Sequence, residues 1–297
     1  MVCTLLAAPV AAHAPDADAP PDLAQAWSLE PWLGLPLLLA LALYGLGVAR
    51  LWRAGAGRGV GGWQVLSFGC GWAVLFLAMV WPLDVLGAWS LAAHMAQHML
   101  LLAFAPPLLL AGLAGPVWLA ALPAGWARPV MRPLRSVAGQ RTWAVLTGLT
   151  FATLLQAAVM WGWHLPAAMD HALAHESTHY AMHLSFLLAG LLFWTGVLRS
   201  LREPRHGAGA GLLALLATMV HMGLLSALMT FAETPRFGWY LERAPMLGLD
   251  PLQDQQLAGL IMWVPAALPY VIGAIVLVAA WLSRSEARSR RETPLQG

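Results

Sequence analysis

Two pairs of histidines stand in apolar stretches of the chain with the same spacing: His94 with His98, and His179 with His183. In a helix, residues four apart lie on one face about one turn apart, so each pair stacks two imidazole rings. Imidazole is a common ligand of metal ions and of haem iron, and a polar ring within a hydrophobic span is costly unless it has a partner. The pattern therefore predicts a buried histidine site for a metal ion or a haem group.

The helices that must position these pairs belong to a very apolar chain. Of its 297 residues, 60% are hydrophobic and 10% are charged, and the mean hydropathy is +0.67. This composition excludes an ordinary soluble domain and predicts an all-α, polytopic membrane bundle. The apolar runs predict seven transmembrane helices, over Trp32–Trp52, Gln64–Trp81, Leu91–Gly112, Thr142–Trp163, His179–Leu198, Gly211–Phe231 and Leu257–Leu282. The apolar segment 113–122 is too short to span and is expected to extend the third helix or to lie at the interface.

The basic residues orient the bundle. All sixteen are Arg, and fourteen of them follow the first, third, fifth or seventh span; Arg236 and Arg243 are the exceptions. The positive-inside rule places the arginine-rich side in the cytoplasm. We therefore predict a multi-pass protein of the bacterial inner membrane, with its N-terminus outside and its C-terminus inside. No phosphate-binding loop or nucleic-acid-binding motif occurs, so a nucleic acid is not expected as a partner; membrane lipid is.

Both ends of the chain differ in composition from the membrane domain. Residues 1–30 combine the apolar stretch "TLLAAPVAAHA" with a linker rich in Pro, Asp and Ala. They resemble the end of a signal peptide with a small-residue cleavage site at Ala12-His13-Ala14. The usual basic residues before the apolar stretch are missing, so a cleaved and an uncleaved segment are equally expected. Residues 31–283 then form the seven-helix domain, and residues 284–297 form a basic cytoplasmic tail.

The predicted topology gathers most histidines at one membrane face. Seven lie on or just beneath the external face: His94, His98, His164, His171, His175, His179 and His183. His221 lies deeper, midway along the sixth span, and Asp84 and Asp254 stand at external helix ends. A lone histidine in a span is more often a packing residue than a ligand. His171 and His175 are expected in the short external loop between the fourth and fifth spans, where histidines are more often solvated. The two pairs are thus the strongest candidates.

The surrounding residues favour copper as the ligand. Methionines accompany the histidines at Met95, Met99, Met160, Met182, Met219, Met222, Met229 and Met262. Thioether ligands favour Cu(I), whereas imidazole also suits zinc, iron and nickel. Methionine at helical spacing is usually core filler, so no single one is assigned on this ground. Zinc is the second choice. Haem b is the serious rival, since histidines that face each other across a bundle can ligate it.

The chain resembles the CtaG-type cytochrome c oxidase assembly factors, the seven-span family linked to caa-type oxidases. Four segments carry the resemblance: "HMAQHMLLLAFAPPLLLAGLAGPVW" from residue 94, "WGWHLPAAMDHAL" from 161, "HYAMHLSFLLAGLLFW" from 179 and "GLDPLQDQQLAGLIMWVP" from 248. The resemblance implies polar functional positions at His94, His98, His164, His179, His183, Asp254 and Met262. We add His221 to these as a candidate metal ligand. Met182 departs from the family pattern, which tends to have an acidic residue before the second histidine of the fifth helix.

The resemblance implies a non-enzymatic role in the maturation of a haem–copper oxidase. The protein is expected to take copper from a periplasmic donor and to hold it for insertion into an oxidase subunit. Three alternatives stay open. A haem-binding electron-transfer protein would show a haem spectrum, a copper transporter would need a polar path to the cytoplasm, and a structural scaffold would bind no metal.

Overall fold

A computed structural model describes residues 19–20, 22, 27–28, 30–53, 55–113, 115–123, 125–202 and 207–292. The predicted cleavage site at residues 12–14 lies outside these ranges, as do Cys3, His13 and His206. Within them the chain is helical without strands, which confirms the prediction of an all-α membrane bundle. The helices are α1 Pro31–Trp52, α2 Gly62–Met79, α3 Leu83–Gly87, α4 Leu91–Met99, α5 Ala105–Gly112, α6 Gly115–Ala121, α7 Ala127–Arg135, α8 Val137–Leu146, α9 Leu149–Trp163, α10 Pro166–Ala174, α11 Glu176–Arg202, α12 Ala208–Thr230, α13 Gly238–Met246 and α14 Pro251–Glu292.

Six helical segments of the described chain are long and apolar enough to cross a membrane. Five are single helices, and the sixth is the run Leu91–Gly112, which joins α4 to α5. The helices α8 and α9, bent by 57° relative to each other, are long and apolar enough only when taken together, and the count is seven if this pair is one span. Large apolar side chains on the outer faces, such as Leu38 on α1 and Ile272 on α14, are more than half exposed. Such a surface fits a lipid environment.

The fourth span differs from the continuous helix that its sequence predicts. The Oγ1 of Thr147 donates to the carbonyl of Trp143 and accepts from Arg199, at 2.7 and 2.6 Å. Gly148 is extended, and its carbonyl accepts the first hydrogen bond of α9 from Ala152. Because threonine and glycine supply this break without charge or proline, hydropathy alone does not reveal it. The apolar segment after the third span folds as the separate helix α6, which packs against α1.

The third span contains a π-helical turn over Leu100–Phe104. Pro106 has no N–H to donate to the carbonyl of Leu102, so the regular helix is interrupted here. Gly190 of α11 packs against this turn: a Cβ at Gly190 would lie 2.6 Å from the Leu102 carbonyl oxygen and 2.8 Å from the Pro106 ring. Small residues allow such close helix contacts in membranes. This contact brings the histidine-bearing parts of α4 and α11 face to face.

Helix α14 packs along α12 and α4 with a buried face that repeats every four residues. Asp254, Ala258, Met262, Ala266 and Tyr270 form this face, and each is at most 4% exposed. The stripe places the carboxylate of Asp254 beside the first residues of α4. The last span thereby helps to fix the helix that carries the first histidine pair.

Candidate metal centre

The first turn of α4 is fixed by a carboxylate from a distant helix. Asp254 accepts hydrogen bonds from the backbone N–H groups of Leu91 and Ala92, at 2.6 and 3.3 Å. The hydroxyl of Ser90 donates to the same carboxylate at 2.7 Å and accepts from the N–H of Ala93. Helix N-termini leave such N–H groups without intrahelical partners, and a carboxylate there also meets the positive end of the helix dipole. Asp254 therefore sets the position of α4.

Two histidines of α4 point into the bundle within hydrogen-bonding distance of each other. The Nε2 atoms of His94 and His98 are 2.7 Å apart, and both rings are fully buried. The hydroxyl of Tyr240 donates to the carbonyl of Gly87 at 2.7 Å and lies 2.9 Å from Nδ1 of His94. It therefore accepts the Nδ1 proton, which leaves the Nε2 lone pair of His94 directed toward the site. A second hydrogen bond of this kind commonly orients histidine ligands of metals.

The second histidine pair completes a compact group. His94, His179 and His183 each offer a ring nitrogen, and these three nitrogens lie within 4.8 Å of one another. The ring centroid of His94 is 5.2 Å from that of His179 and 5.8 Å from that of His183. His98 lies 5.5 Å from His183 by the same measure and stacks on Phe186. We call His94, His98, His179 and His183 the histidine cluster; none of the four is more than 1% exposed.

His164 and Met95 add an imidazole and a thioether near His98. His164 stands at the end of α9, and its Nδ1 donates to the carbonyl of Met160 at 2.6 Å. Its Nε2 lies 3.0 Å from the sulfur of Met95, and its ring centroid is 6.1 Å from that of His98. The structure thus places an imidazole and a thioether next to the cluster, the combination expected of a Cu(I) ligand set.

Three of the residues predicted as ligands lie apart from this group. Asp254 caps α4, as described above. His221 is on α12, and neither of its ring nitrogens has a hydrogen-bond partner among the residues that the structure describes. Met262 is buried in the main hydrophobic core, on the stripe of α14. Their roles as ligands stay predictions, and the geometry gives Asp254 a positioning role.

The segment between α12 and α14, which we call the covering segment, packs beside the cluster: the Tyr240 hydroxyl contacts His94. It contains the short helix α13. The indole N–H of Trp239 donates to the carbonyl of Ala88 at 3.0 Å, and its backbone N–H donates to Asp170 at 3.2 Å. The guanidinium of Arg243 lies 4.0 Å from the centre of the Trp239 ring.

Tyr240 is the functional residue that sequence reasoning missed. Burial and then the carboxylates of Asp254 and Asp170 raise its pKa well above the usual range, against the opposite effect of Arg243. The phenol therefore stays protonated and can donate to Gly87. A lone tyrosine in a predicted loop carries no spacing signal, and its contact with His94 joins residues 146 positions apart. Sequence patterns likewise assign no individual role to Met95, whose sulfur lies beside His164 in the structure.

A buried polar group supports the cluster from the other side of α4. The amide nitrogen of Gln97 donates to the carbonyl of Ala78 at 2.7 Å and to the carboxylate of Asp84 at 3.0 Å. The hydroxyl of Ser28 also donates to Asp84. Gln97 and Asp84 are both fully buried. These contacts tie α4 to α2 and α3 and so fix the rotation of the helix that presents its two histidines.

An apolar cavity of about 390 Å³ lies beside the cluster, between α1, α2 and α11. His183 is part of its wall together with Tyr180 and Leu75. At its edge, Trp32 is 50% exposed and Leu184 is 55% exposed. The cavity therefore connects the side of one cluster histidine to the lipid-facing surface of the bundle.

Comparison with known proteins identifies the family. The chain is 28% identical over 284 residues to uncharacterized proteins of Mycobacterium bovis and Mycobacterium tuberculosis, and 25% identical over 290 residues to one of Mycobacterium leprae. Each alignment covers 92% of this chain but 42% of the relative, so the chain spans about two fifths of the length of these proteins. No solved structure matches it significantly. Residues 42–284, most of the described bundle, match the family described as cytochrome c oxidase caa3 assembly factor (Caa3_CtaG). The chain belongs to this family of cytochrome c oxidase assembly factors.

Proposed function

We propose that this protein holds a copper ion at the histidine cluster and delivers it to a haem–copper oxidase subunit during assembly. The observation that carries the proposal is the group of three buried imidazoles, on two helices, whose nitrogens lie within 4.8 Å of one another. Neutral imidazoles buried together in an apolar bundle are costly unless they share a ligand or a complete set of hydrogen bonds. A metal ion is a ligand that three imidazoles at this spacing can share.

Copper fits the donor set better than its rivals. Three imidazoles alone suit zinc and copper alike, and the sulfur of Met95 beside His164 favours Cu(I). Haem is disfavoured because the rings pack directly on one another. Across the two helices, the ring centroid of His94 lies only 5.2 Å from that of His179 and 5.8 Å from that of His183, and Phe186 stacks on His98. A porphyrin between them would require the helices to separate.

The distribution of polar groups supports a holding role over transport across the membrane. Among the residues that the structure describes, the buried histidines and carboxylates are Asp84, His94, His98, His164, His179, His183 and Asp254. All of them lie at the end of the bundle where α4 and α11 begin. A transported ion would need further histidines or carboxylates along its path through the other half, where the buried polar side chains are uncharged amides and hydroxyls such as Gln156 and Thr218. The cavity beside His183 instead offers lateral access from the membrane, where an oxidase subunit can approach.

The proposal is tested by the metal content of the client oxidase. In a strain that lacks this protein, the oxidase subunits should contain haem but lack copper, and generous external copper should partly restore oxidase activity by mass action. Succinate dehydrogenase activity serves as the control and should not change. Normal oxidase copper and activity in the deletion strain under copper limitation would overturn the proposal. A haem spectrum from the purified protein would favour the electron-transfer alternative.

A further inference from the structure

The histidine cluster continues toward the surface with the same four-residue spacing. His171, His175, His179 and His183 stand at successive four-residue intervals where α10 ends and α11 begins. The sequence placed the first two in a loop; the structure places His171 in α10 and His175 at its C-cap. The two outer residues are exposed, whereas the two inner ones are at most 1% exposed. The series thus runs from solvent-exposed to buried imidazoles.

The outer two histidines are arranged as a ligand pair. Their ring centroids are 4.2 Å apart, with the ring planes 31° from parallel. Nδ1 of His175 lies 2.9 Å from the carbonyl oxygen of His171. A carbonyl can only accept, so Nδ1 carries the proton and the Nε2 lone pair of His175 is free to bind a cation. This is the tautomer, and the orienting backbone contact, that metal-binding histidines commonly show.

The pair is joined to the buried site through the backbone. The carbonyl of His175 accepts the hydrogen bond from the N–H of His179 at 3.0 Å, so the exposed pair leads directly into the first turn of α11. One helical turn, about 5.4 Å along the axis, separates consecutive members of the series within a helix. Asp170 of α10 also holds the backbone of Trp239 in the covering segment. The exposed pair therefore follows a residue that bonds to the covering segment and precedes a residue of the cluster.

We propose that His171 and His175 form a capture site that binds a copper ion from the external solution and passes it to the histidine cluster. This inference rests on the proposed function, since it assigns the route by which the same cargo arrives. The exposed pair has two ligands and open solvent around them, so it binds weakly and exchanges quickly. The buried cluster has more imidazoles and holds the ion more tightly. Transfer then follows the affinity gradient, and no redox step is required.

The test compares the rate and the extent of copper loading. Detergent-purified protein free of metal is mixed with limiting copper supplied by a weak chelator, and its copper content is followed in time. H171A leaves the contact of His175 with the carbonyl of His171 intact and removes one ligand. We expect H171A and H171A/H175A to load about tenfold more slowly, within the range over which association rates vary among mutants of one site. Their final copper content should equal that of the wild type.

Two further variants separate this inference from the function on which it rests. E176A removes an exposed charge beside the pair and should leave the loading rate unchanged. In H179A/H183A, which lacks half of the cluster, the exposed pair should still bind copper weakly, and H171A should abolish that binding. Loading of H171A/H175A at the wild-type rate would overturn the capture site alone. A wild-type protein that retains no copper at equilibrium would overturn the proposed function instead.

Discussion

The two ends of the bundle use polar residues in opposite ways. At the end where α4 and α11 begin, the histidine end, polar side chains are buried and bond to one another, as Tyr240 and His94 do. At the other end, the arginine end, arginine side chains lie near the rim and some bond to helix carbonyls. There Arg50 binds the carbonyl of Ala120 at 2.7 Å. The arginine end is built to close helix termini, whereas the histidine end is built to orient imidazoles.

This difference separates function from stability in a testable way. Substitutions at the histidine end should lower copper affinity more than they lower the free energy of unfolding. Substitutions of buried polar residues toward the arginine end should change folding and leave copper binding intact.

Removing either histidine pair should have the largest effect. H94A/H98A and H179A/H183A should each abolish tight copper binding at the cluster, because each leaves at most half of it. Both proteins should remain in the membrane at near-normal levels, since alanine is well tolerated in helices. Metal analysis of the purified variants, with membrane protein levels as the control, checks this. Full copper content in both variants would show that the ligand assignment is wrong, and loss of the protein itself would show that the histidines brace the fold.

Removal of the carboxylate that caps α4 should have the next largest effect. D254A leaves the N–H groups of Leu91 and Ala92 buried without an acceptor, at a cost of about 1–3 kcal/mol. The resulting shift of α4 should weaken copper binding about tenfold, as substitutions around ligands commonly do.

The matched control for that variant is Asp250. It caps α14 by accepting from the N–H of Gln253 at 2.9 Å, and it is exposed. D250A should cost no more than about 1 kcal/mol of stability and leave copper affinity unchanged. Competition with a copper chelator measures both variants; equal copper affinities would remove the positioning role of Asp254.

Tyr240→Phe should have a smaller effect. It removes the hydroxyl between Gly87 and His94, but Nδ1 of His94 is 3.3 Å from the Gly87 carbonyl and can donate to it directly. We expect a loss of about 1 kcal/mol, or about fivefold in copper affinity. Tyr270→Phe is the matched control, because Tyr270 accepts a buried hydrogen bond from Gln156 far from the cluster. It should lower thermal stability and leave copper affinity unchanged; the reverse pattern would contradict the contrast between the two ends.

Replacement of the isolated histidine should have the smallest effect. His221→Leu should leave copper content unchanged, because the structure brings no other histidine, aspartate or glutamate of the described chain into a ligand group with it. The free energy of unfolding should stay the same or rise by about 1 kcal/mol, because neither ring nitrogen of His221 has a hydrogen-bond partner among the described residues. Metal analysis of purified H221L, with H179A/H183A as the comparison, measures its copper content. A loss of copper in H221L would restore His221 to the ligand set.

Local patterns in the sequence predict much of this architecture. The apolar runs located the spans to within about six residues at each end, except that α14 continues ten residues past its predicted end at Leu282. The four-residue spacing located both histidine pairs, because helix periodicity acts within one segment. The bend at Thr147 and Gly148 was missed, since neither residue interrupts hydropathy. The π-helical turn before Pro106 depends on the close approach of Gly190, a contact between separate helices.

The surroundings of the site were harder to predict. Asp254 was expected among the ligands because it matches a polar position of the family that the sequence resembles. Its partners Ser90 and Leu91 are more than 160 positions away, and only the folded bundle brings them together. The same holds for Tyr240 and His94. Sequence periodicity finds ligands that share a helix, whereas contacts between helices decide which groups orient them.

The central claim is that copper is bound by imidazoles of the buried cluster. X-ray absorption at the copper edge, recorded on the purified copper-loaded protein, tests it most directly because imidazole rings give a characteristic multiple-scattering pattern. The account predicts a ligand shell dominated by at least three imidazole nitrogens, which is lost in H179A/H183A and retained in H221L. A copper shell without that imidazole pattern, or the same spectrum from wild type and H179A/H183A, would contradict it.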